Sequence, residues 1–204
     1  MANFVWNDNE KADGIDKYWG EDGEQNHRII ISEIINKYIE PGSVVLDAGC
    51  GSGEVYKYLK PYLSEKEAFY FGIDGSIPFL NKCRERYNED CILTENKDWL
   101  HHKKVRFELQ NLFETVFSDN CFDLVICIDV VQHVQYYENI LKEIFRITKN
   151  KLILRTWVQK ADVIDFDGEV YNNYYNQSKL FDFCNSLSQG KIKTLESGLY
   201  VLSK

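Results

Sequence analysis

Residues Val44 to Val55 read VVLDAGCGSGEV, an acid followed by glycines at alternate positions, Gly49, Gly51 and Gly53. Glycine carries no Cβ, so a backbone that turns here can lie directly against a ligand. The spacing is not that of a dinucleotide fingerprint, because G-x-G-x-x-G needs its third glycine one residue later. Charge argues the same way. A pyrophosphate favours bare amides at a helix N-terminus, and an acid at Asp47 would repel it. A ligand with an ammonium group and no phosphate suits this loop better.

Further chemistry-bearing residues recur at the ends of apolar runs. FGIDGS places Asp74 at one such end, ELQNLFE offers Asn111 and Leu112, and FDLVICIDVVQHV offers Asp129 with His133 a turn beyond. Each also has a purely structural reading. Asp47 can cap loop amides, Asp74 and Ser76 are both favoured residue types at a helix start, and Asp129 can be an ordinary turn acid. His133 titrates in the range that suits a general base, and a lone histidine after a strand is also often a hydrogen-bonded scaffold residue. His27 is expected on a surface helix start, and His101 and His102 in a solvated insertion. The six cysteines show no C-x-x-C pairing and no histidine at zinc-ligand spacing, which predicts reduced thiols and no metal site.

Taken together, LDAGCGSGE, the acid of FGIDGS, the Asn111-Leu112 pair and ID-V-V-Q-H resemble the class I S-adenosylmethionine-dependent methyltransferases, over nearly the whole chain from about Tyr18. The resemblance implies S-adenosyl-L-methionine as cofactor and S-adenosyl-L-homocysteine as product. It implies that Asp47 and the loop residues Gly49, Cys50 and Gly51 hold the methionine part, and that Asp74 with Gly75 meets the ribose hydroxyls. Asn111 and Leu112 fall beside the adenine, where the family usually has an acid; an amide can still exchange hydrogen bonds with the adenine edge. Asp129 falls where a strand end lines the cofactor. Tyr18 and Trp19 precede the first expected helix and either fold over the cofactor as a lid or cover the core edge. Arg155, Trp157, Tyr171, Tyr174 and Tyr175 occur where family members build the substrate pocket, as aromatic walls or as a packed cover.

These residues need a scaffold, and the hydrophobic pattern supplies one. Short apolar runs predict strands at Ser43 to Asp47, Ala68 to Asp74, Val105 to Gln110, Phe122 to Asp129 and Lys151 to Trp157. Helical spacing fills the intervals at Glu54 to Leu63, Ser76 to Tyr87 and Tyr136 to Thr148, with an upstream helix at Asn26 to Ile39 and a late one at Ser178 to Leu187. This alternation predicts an α/β, doubly wound (Rossmann-like), mostly parallel sheet. Runs such as LVICID are continuously apolar, as strands buried on both faces require. KIKTLES and LYVLSK, split by a glycine turn, predict an antiparallel C-terminal hairpin.

A chain of 204 residues with 44% hydrophobic content suggests one domain, 1–204, divided into an N-terminal lid and helix (1–40), a cofactor-binding core (41–157) and a substrate-side segment with the hairpin (158–204). Only three prolines occur, and no linker or repeat marks a boundary. No stretch spans a bilayer and the N-terminus lacks a signal-peptide pattern, which predicts a cytoplasmic protein. A formal charge of -8 opposes nucleic-acid binding. The expected activity is O- or N-methylation of a small-molecule acceptor, with a protein methyltransferase or a non-catalytic regulatory or scaffold protein as alternatives; oligomeric state is not legible.

Overall fold

The computed structural model describes residues 7–20, 23–91 and 104–204. Length predicts one domain, and internal packing groups the described residues into two compact units, one ending at Gln110 and one beginning at Asn111.

The first unit contains α1 (Asn9–Gly20), α2 (Gly23–Asn36), β1 (Val44–Ala48), α3 (Glu54–Glu65), β2 (Phe69–Asp74), α4 (Ile77–Arg86) and β3 (Val105–Leu109). Its strands lie in the order β3-β2-β1. All run parallel, with Val44 opposite Phe69 through Ala48 opposite Ile73, and Tyr70 opposite Val105 through Asp74 opposite Leu109. That register places Asp74 at the carboxyl end of its strand and lets the chain leaving β1 turn beside it. Buried Ile31, Ile35 and Ile39 recur every four residues, the spacing that gives α2 and the turn after it an apolar stripe.

The second unit contains β4 (Phe122–Ile128), a 3-10 turn (Val131–His133), α5 (Glu138–Ile147), β5 (Thr148–Arg155), the two-residue strands β6 (Val158–Gln159) and β7 (Tyr175–Asn176), α6 (Gln177–Leu187), β8 (Ile192–Glu196) and β9 (Leu199–Ser203). Strand order is β4-β5-β9-β8. β4 and β5 are parallel, and β9 runs antiparallel to both β5 and β8. Leu124 through Ile128 are all buried, so consecutive side chains on both faces of β4 are covered, as its unbroken apolar run requires.

The architecture is therefore α/β: three parallel strands in the first unit, and in the second a parallel pair with the expected antiparallel C-terminal hairpin. Two features depart from the sequence expectation. Tyr18 and Trp19 do not lead into the first helix but lie on α1, a helix of its own. Its pattern is weak because Gly14 interrupts it and its stability is tertiary: Ala12 is fully buried, Asp13 pairs with Lys82, and Asp16 pairs with Arg86. In addition, β5 begins at Thr148, directly where α5 ends, because the Thr148 backbone turns extended while its hydroxyl still donates to the Ile144 carbonyl at 2.6 Å.

Candidate functional site

In the first unit the site is built on the turn that closes β1. Gly49, Gly51 and Gly53 all take positive φ, at 85°, 52° and 84°. Such angles are strained for residues with a side chain, so the sequence has glycine at each point where the backbone reverses. The Gly49 and Cys50 amides both donate to the Ile73 carbonyl, at 2.8 and 3.0 Å, pinning the loop to the end of β2. Gly53 then caps α3, and a Cβ there would come within 2.7 Å of the Tyr87 ring.

Asp74 is partly exposed and locked by backbone donors. Gly51 N–H donates to Oδ2 at 2.9 Å and Ser76 N–H to Oδ1 at 2.8 Å. The carboxylate thus keeps a fixed orientation, with lone pairs beyond those two still able to accept from a diol. Burial pushes its carboxyl above the ordinary value, and the Gly51, Ser76 and Gly75 amides oppose that shift. Ser76 rather than Asp74 supplies the side-chain cap of α4, accepting from Phe79 N–H at 3.3 Å. The loop is not a phosphate cradle: its central amide is already turned onto a carboxylate and a second acid stands behind it.

That second acid, Asp47, is 1% exposed, so it stands behind the loop rather than on its surface. Its Oδ2 accepts from the Tyr70 hydroxyl at 2.6 Å. Burial pushes the carboxyl up to about 7, against the opposing effects of Tyr70 and the Arg28 guanidinium; Asp74 adds to the rise. Cys50 and Cys83 are buried beneath the same turn, both thiols donating to the Gly51 carbonyl at 3.6 and 3.2 Å. No cluster of three or more His, Cys, Asp or Glu suited to a metal occurs among the described residues.

The sequence reading passed over three residues that hold this loop. Tyr70 lies opposite Val45, which puts it on the face of β1 that also carries Asp47, two residues on, a register that neither strand's own sequence specifies. Tyr87 donates to the Gly53 carbonyl at 3.1 Å. Arg86 pairs with Asp16 of α1 and with Glu54 of α3 at 3.0 Å, tying α1 and α4 to the end of the turn. Tyr18 itself is 65% exposed on α1.

In the second unit the predicted residues gather around the turn after β4. Asp129 adopts a positive φ of 57° and pairs with Arg155, while its amide donates to the Arg155 carbonyl at 3.0 Å. Two residues read as cofactor and substrate contacts therefore hold each other across the ends of β4 and β5. His133 Nδ1 lies 2.8 Å from the Tyr171 carbonyl oxygen and so donates to it, which leaves the neutral ring's lone pair on Nε2. Burial holds the His133 pKa below its ordinary value, with the Tyr171 carbonyl and Asp129 opposing that shift, so the neutral form prevails near pH 7. The imidazole meets the Trp157 ring edge-on at 5.7 Å, and Trp157 lies 5.3 Å from the Tyr174 ring. Tyr175 is buried, its hydroxyl 2.7 Å from the carbonyls of both Val131 and Val134, where it supports the turn. Tyr171 stacks on Phe166 at 4.6 Å. Asn111 is exposed and its side chain accepts from the Phe113 amide at 3.0 Å; Leu112 is half-buried beside it. His101 and His102 lie outside the described residues.

The first unit thus presents a glycine turn bonded to a backbone-locked acid at the next strand end, on a parallel α/β scaffold. The family model described as methyltransferase domain matches residues 46–154, more than half of the chain. The chain belongs to the class I S-adenosylmethionine-dependent methyltransferase family. It is 29% identical over 138 residues to an uncharacterized methyltransferase of Schizosaccharomyces pombe, covering 68% of this chain and 48% of that one. It is 31% identical over 131 residues to an uncharacterized protein of Methanocaldococcus jannaschii, covering 64% and 47%. The matched region thus spans about half the length of these relatives. Among solved structures, a SAM-dependent methyltransferase from Aquifex aeolicus shares the fold with a TM-score of 0.64 and 20% identity, covering 96% of this chain and 97% of that one.

Proposed function

We propose that this chain binds S-adenosylmethionine along the turn after β1 and transfers its methyl group, in line, to an oxygen or nitrogen of a small-molecule acceptor. The orientation of Asp74, fixed by the Gly51 and Ser76 amides at the end of β2, is the observation that carries the reading. Asp74 receives the ribose hydroxyls, the Gly49 to Gly51 backbone lies along the methionine part, and Asp47 attracts its ammonium from behind the loop. Asn111 and Leu112 are assigned to the adenine and Asp129 to the strand end that lines the cofactor; Tyr18 and Trp19 are assigned to a cover.

The bound donor supplies an electrophilic methyl on a sulfonium. Transfer neutralises that charge, so the protein contributes mainly position, and orientation alone can supply roughly 7–11 kcal/mol in favourable systems. His133 is assigned the general base: its Nδ1 is occupied by a carbonyl, its ring is neutral near pH 7, and Nε2 carries the lone pair. Trp157, Tyr174 and Tyr171 are assigned to the acceptor pocket, with Arg155 orienting the adjoining strand end through Asp129.

A protein acceptor is the second reading, favoured by one feature. Val163, Ile164, Phe166 and Tyr174 are exposed on the excursion between β6 and β7, interleaved with Asp162, Asp165, Asp167 and Glu169. A basic segment with apolar side chains would complement that surface. Incubation with methyl-labelled donor in a lysate separates the two: label in the small-molecule fraction supports the first reading, and label confined to a protein band supports the second. No heat with donor or product in calorimetry would overturn both. No helix among the described residues is long and apolar enough to cross a membrane.

A further inference from the structure

We propose that Tyr70 is a positioning residue for donor binding, which through its hydroxyl keeps Asp47 an ionised, outward-acting acceptor and so makes donor capture a proton-linked event. The inference rests on the donor reading above and extends it to a residue outside the glycine loop.

Tyr70 is fully buried near the start of β2, packed against Tyr56 at 4.7 Å and Phe107 at 5.9 Å. A phenylalanine would fill that space equally well, so the hydroxyl calls for a reason. It donates to Asp47 Oδ2 at 2.6 Å, a short contact of the charge-assisted kind. Asp47 is itself 1% exposed, and a carboxylate taken out of water stays ionised only where donors and cations replace the lost hydration. The groups acting on Asp47 are Tyr70 and Asp74 from β2, Arg28 from α2, and Cys50 from the loop. Tyr70 and Arg28 favour the carboxylate, whereas Asp74 opposes it. The buried, high-pKa thiol of Cys50 adds no charge near neutrality.

The balance leaves the carboxyl titrating close to neutral pH, where a ligand ammonium on the far side of the loop would complete the ionisation. Donor binding then releases part of a proton and weakens as the solution becomes more acidic. Removing the Tyr70 hydroxyl shifts that balance without emptying the core. If the carboxyl rises by about one unit, the ionised fraction at pH 7 falls about five-fold, and it recovers near pH 9.

The test compares wild type with Tyr70→Phe, and with Asp47→Asn as the permanently neutral reference. S-adenosylhomocysteine is titrated in by calorimetry from pH 6 to 9, and the carboxyl carbon of Asp47 is followed by NMR in the ligand-free proteins. The expected result is binding about five-fold weaker for Tyr70→Phe at pH 7, a ratio to wild type that approaches one by pH 9, and an Asp47 midpoint moved upward. Taking the ratio cancels the ligand's own amine titration. A Tyr70→Phe deficit that is constant with pH, or an Asp47 midpoint that does not move, overturns the proposal while leaving the donor reading intact. No binding by wild type at any pH overturns the donor reading and this assignment together.

Discussion

The Gly51 amide donates to the Asp74 carboxylate at 2.9 Å, joining the middle of the turn after β1 to the end of β2. One contact thereby orients the acid and fixes the loop that would lie along a donor. Neither residue could do its part alone: a free aspartate samples several rotamers, and a free glycine turn samples many backbone states.

Gly53 sets the entry to α3 and tolerates little. Its φ of 84° and the Tyr87 ring carbon 2.7 Å from the position of a Cβ both oppose a side chain. Gly53→Ala should lose about 2–4 kcal/mol from backbone strain and overpacking. In thermal unfolding that is a drop of roughly 5–10 °C; a melting temperature within a degree of wild type would show that the turn relaxes freely.

His133→Ala should keep the wild-type affinity for S-adenosylhomocysteine within about two-fold and lose roughly 10²–10⁴-fold in turnover, the usual contribution of a general base. The wild-type rate should fall on the acid side, below a pKa that burial depresses. Unchanged turnover in the variant would assign His133 to the scaffold, held there by Tyr171 and Trp157.

Two carboxyls should respond to acid in opposite senses. Glu143 is held down to about 2, first by the Arg146 guanidinium and then, against the opposing effect of burial, by the hydroxyl and amide of Thr115. A depressed folded-state pKa means that its stabilisation is present above pH 4.5 and is lost as pH falls towards 2. Asp47, raised to about 7, behaves inversely: its contribution is greatest below its ordinary value and is lost as pH rises through 7. Denaturant unfolding of wild type and Glu143→Gln should therefore converge between pH 5 and 2, whereas wild type and Asp47→Asn should diverge between about pH 4 and 7, the variant becoming relatively more stable. Parallel curves in either series would contradict the assignment.

Five of the six cysteines are buried and only Cys121 is exposed. Burial pushes the Cys184 thiol up to about 12 and raises Cys50 as well, so little thiolate is available at either. A disulfide reagent at neutral pH should label one thiol quickly in the native protein and all six after denaturation. Rapid labelling of Cys50 or Cys83 would mean that the loop opens readily.

Much of this was legible in the sequence because the strands carry their own signal. LVICID and VVLD are apolar on consecutive residues, and only a sheet covered on both faces buries them; their ends fell within one residue of Ile128 and Ala48. The acids Asp47 and Asp74 were readable for the same reason, since each stands at a sharp polarity change. What was not legible depends on partners distant in sequence. α1 is held by Lys82 and Arg86, nearly seventy residues away. The tie between Asp129 and Arg155 needs the register of β4 against β5, which no local pattern specifies. Tyr70 reads as one more aromatic in a strand until its hydroxyl is seen against Asp47.

The central claim is that Asp74 receives the donor's ribose. Calorimetric titration of S-adenosylhomocysteine into Asp74→Ala tests it most directly, since the Gly49 and Cys50 amides still tie the turn to the Ile73 carbonyl when the Gly51 bond is lost. Loss of charge-assisted hydrogen bonds of about 1.5–3 kcal/mol predicts affinity weakened by roughly 10- to 100-fold from a micromolar-range wild-type value. Asp74→Ala that binds as tightly as wild type would contradict the account.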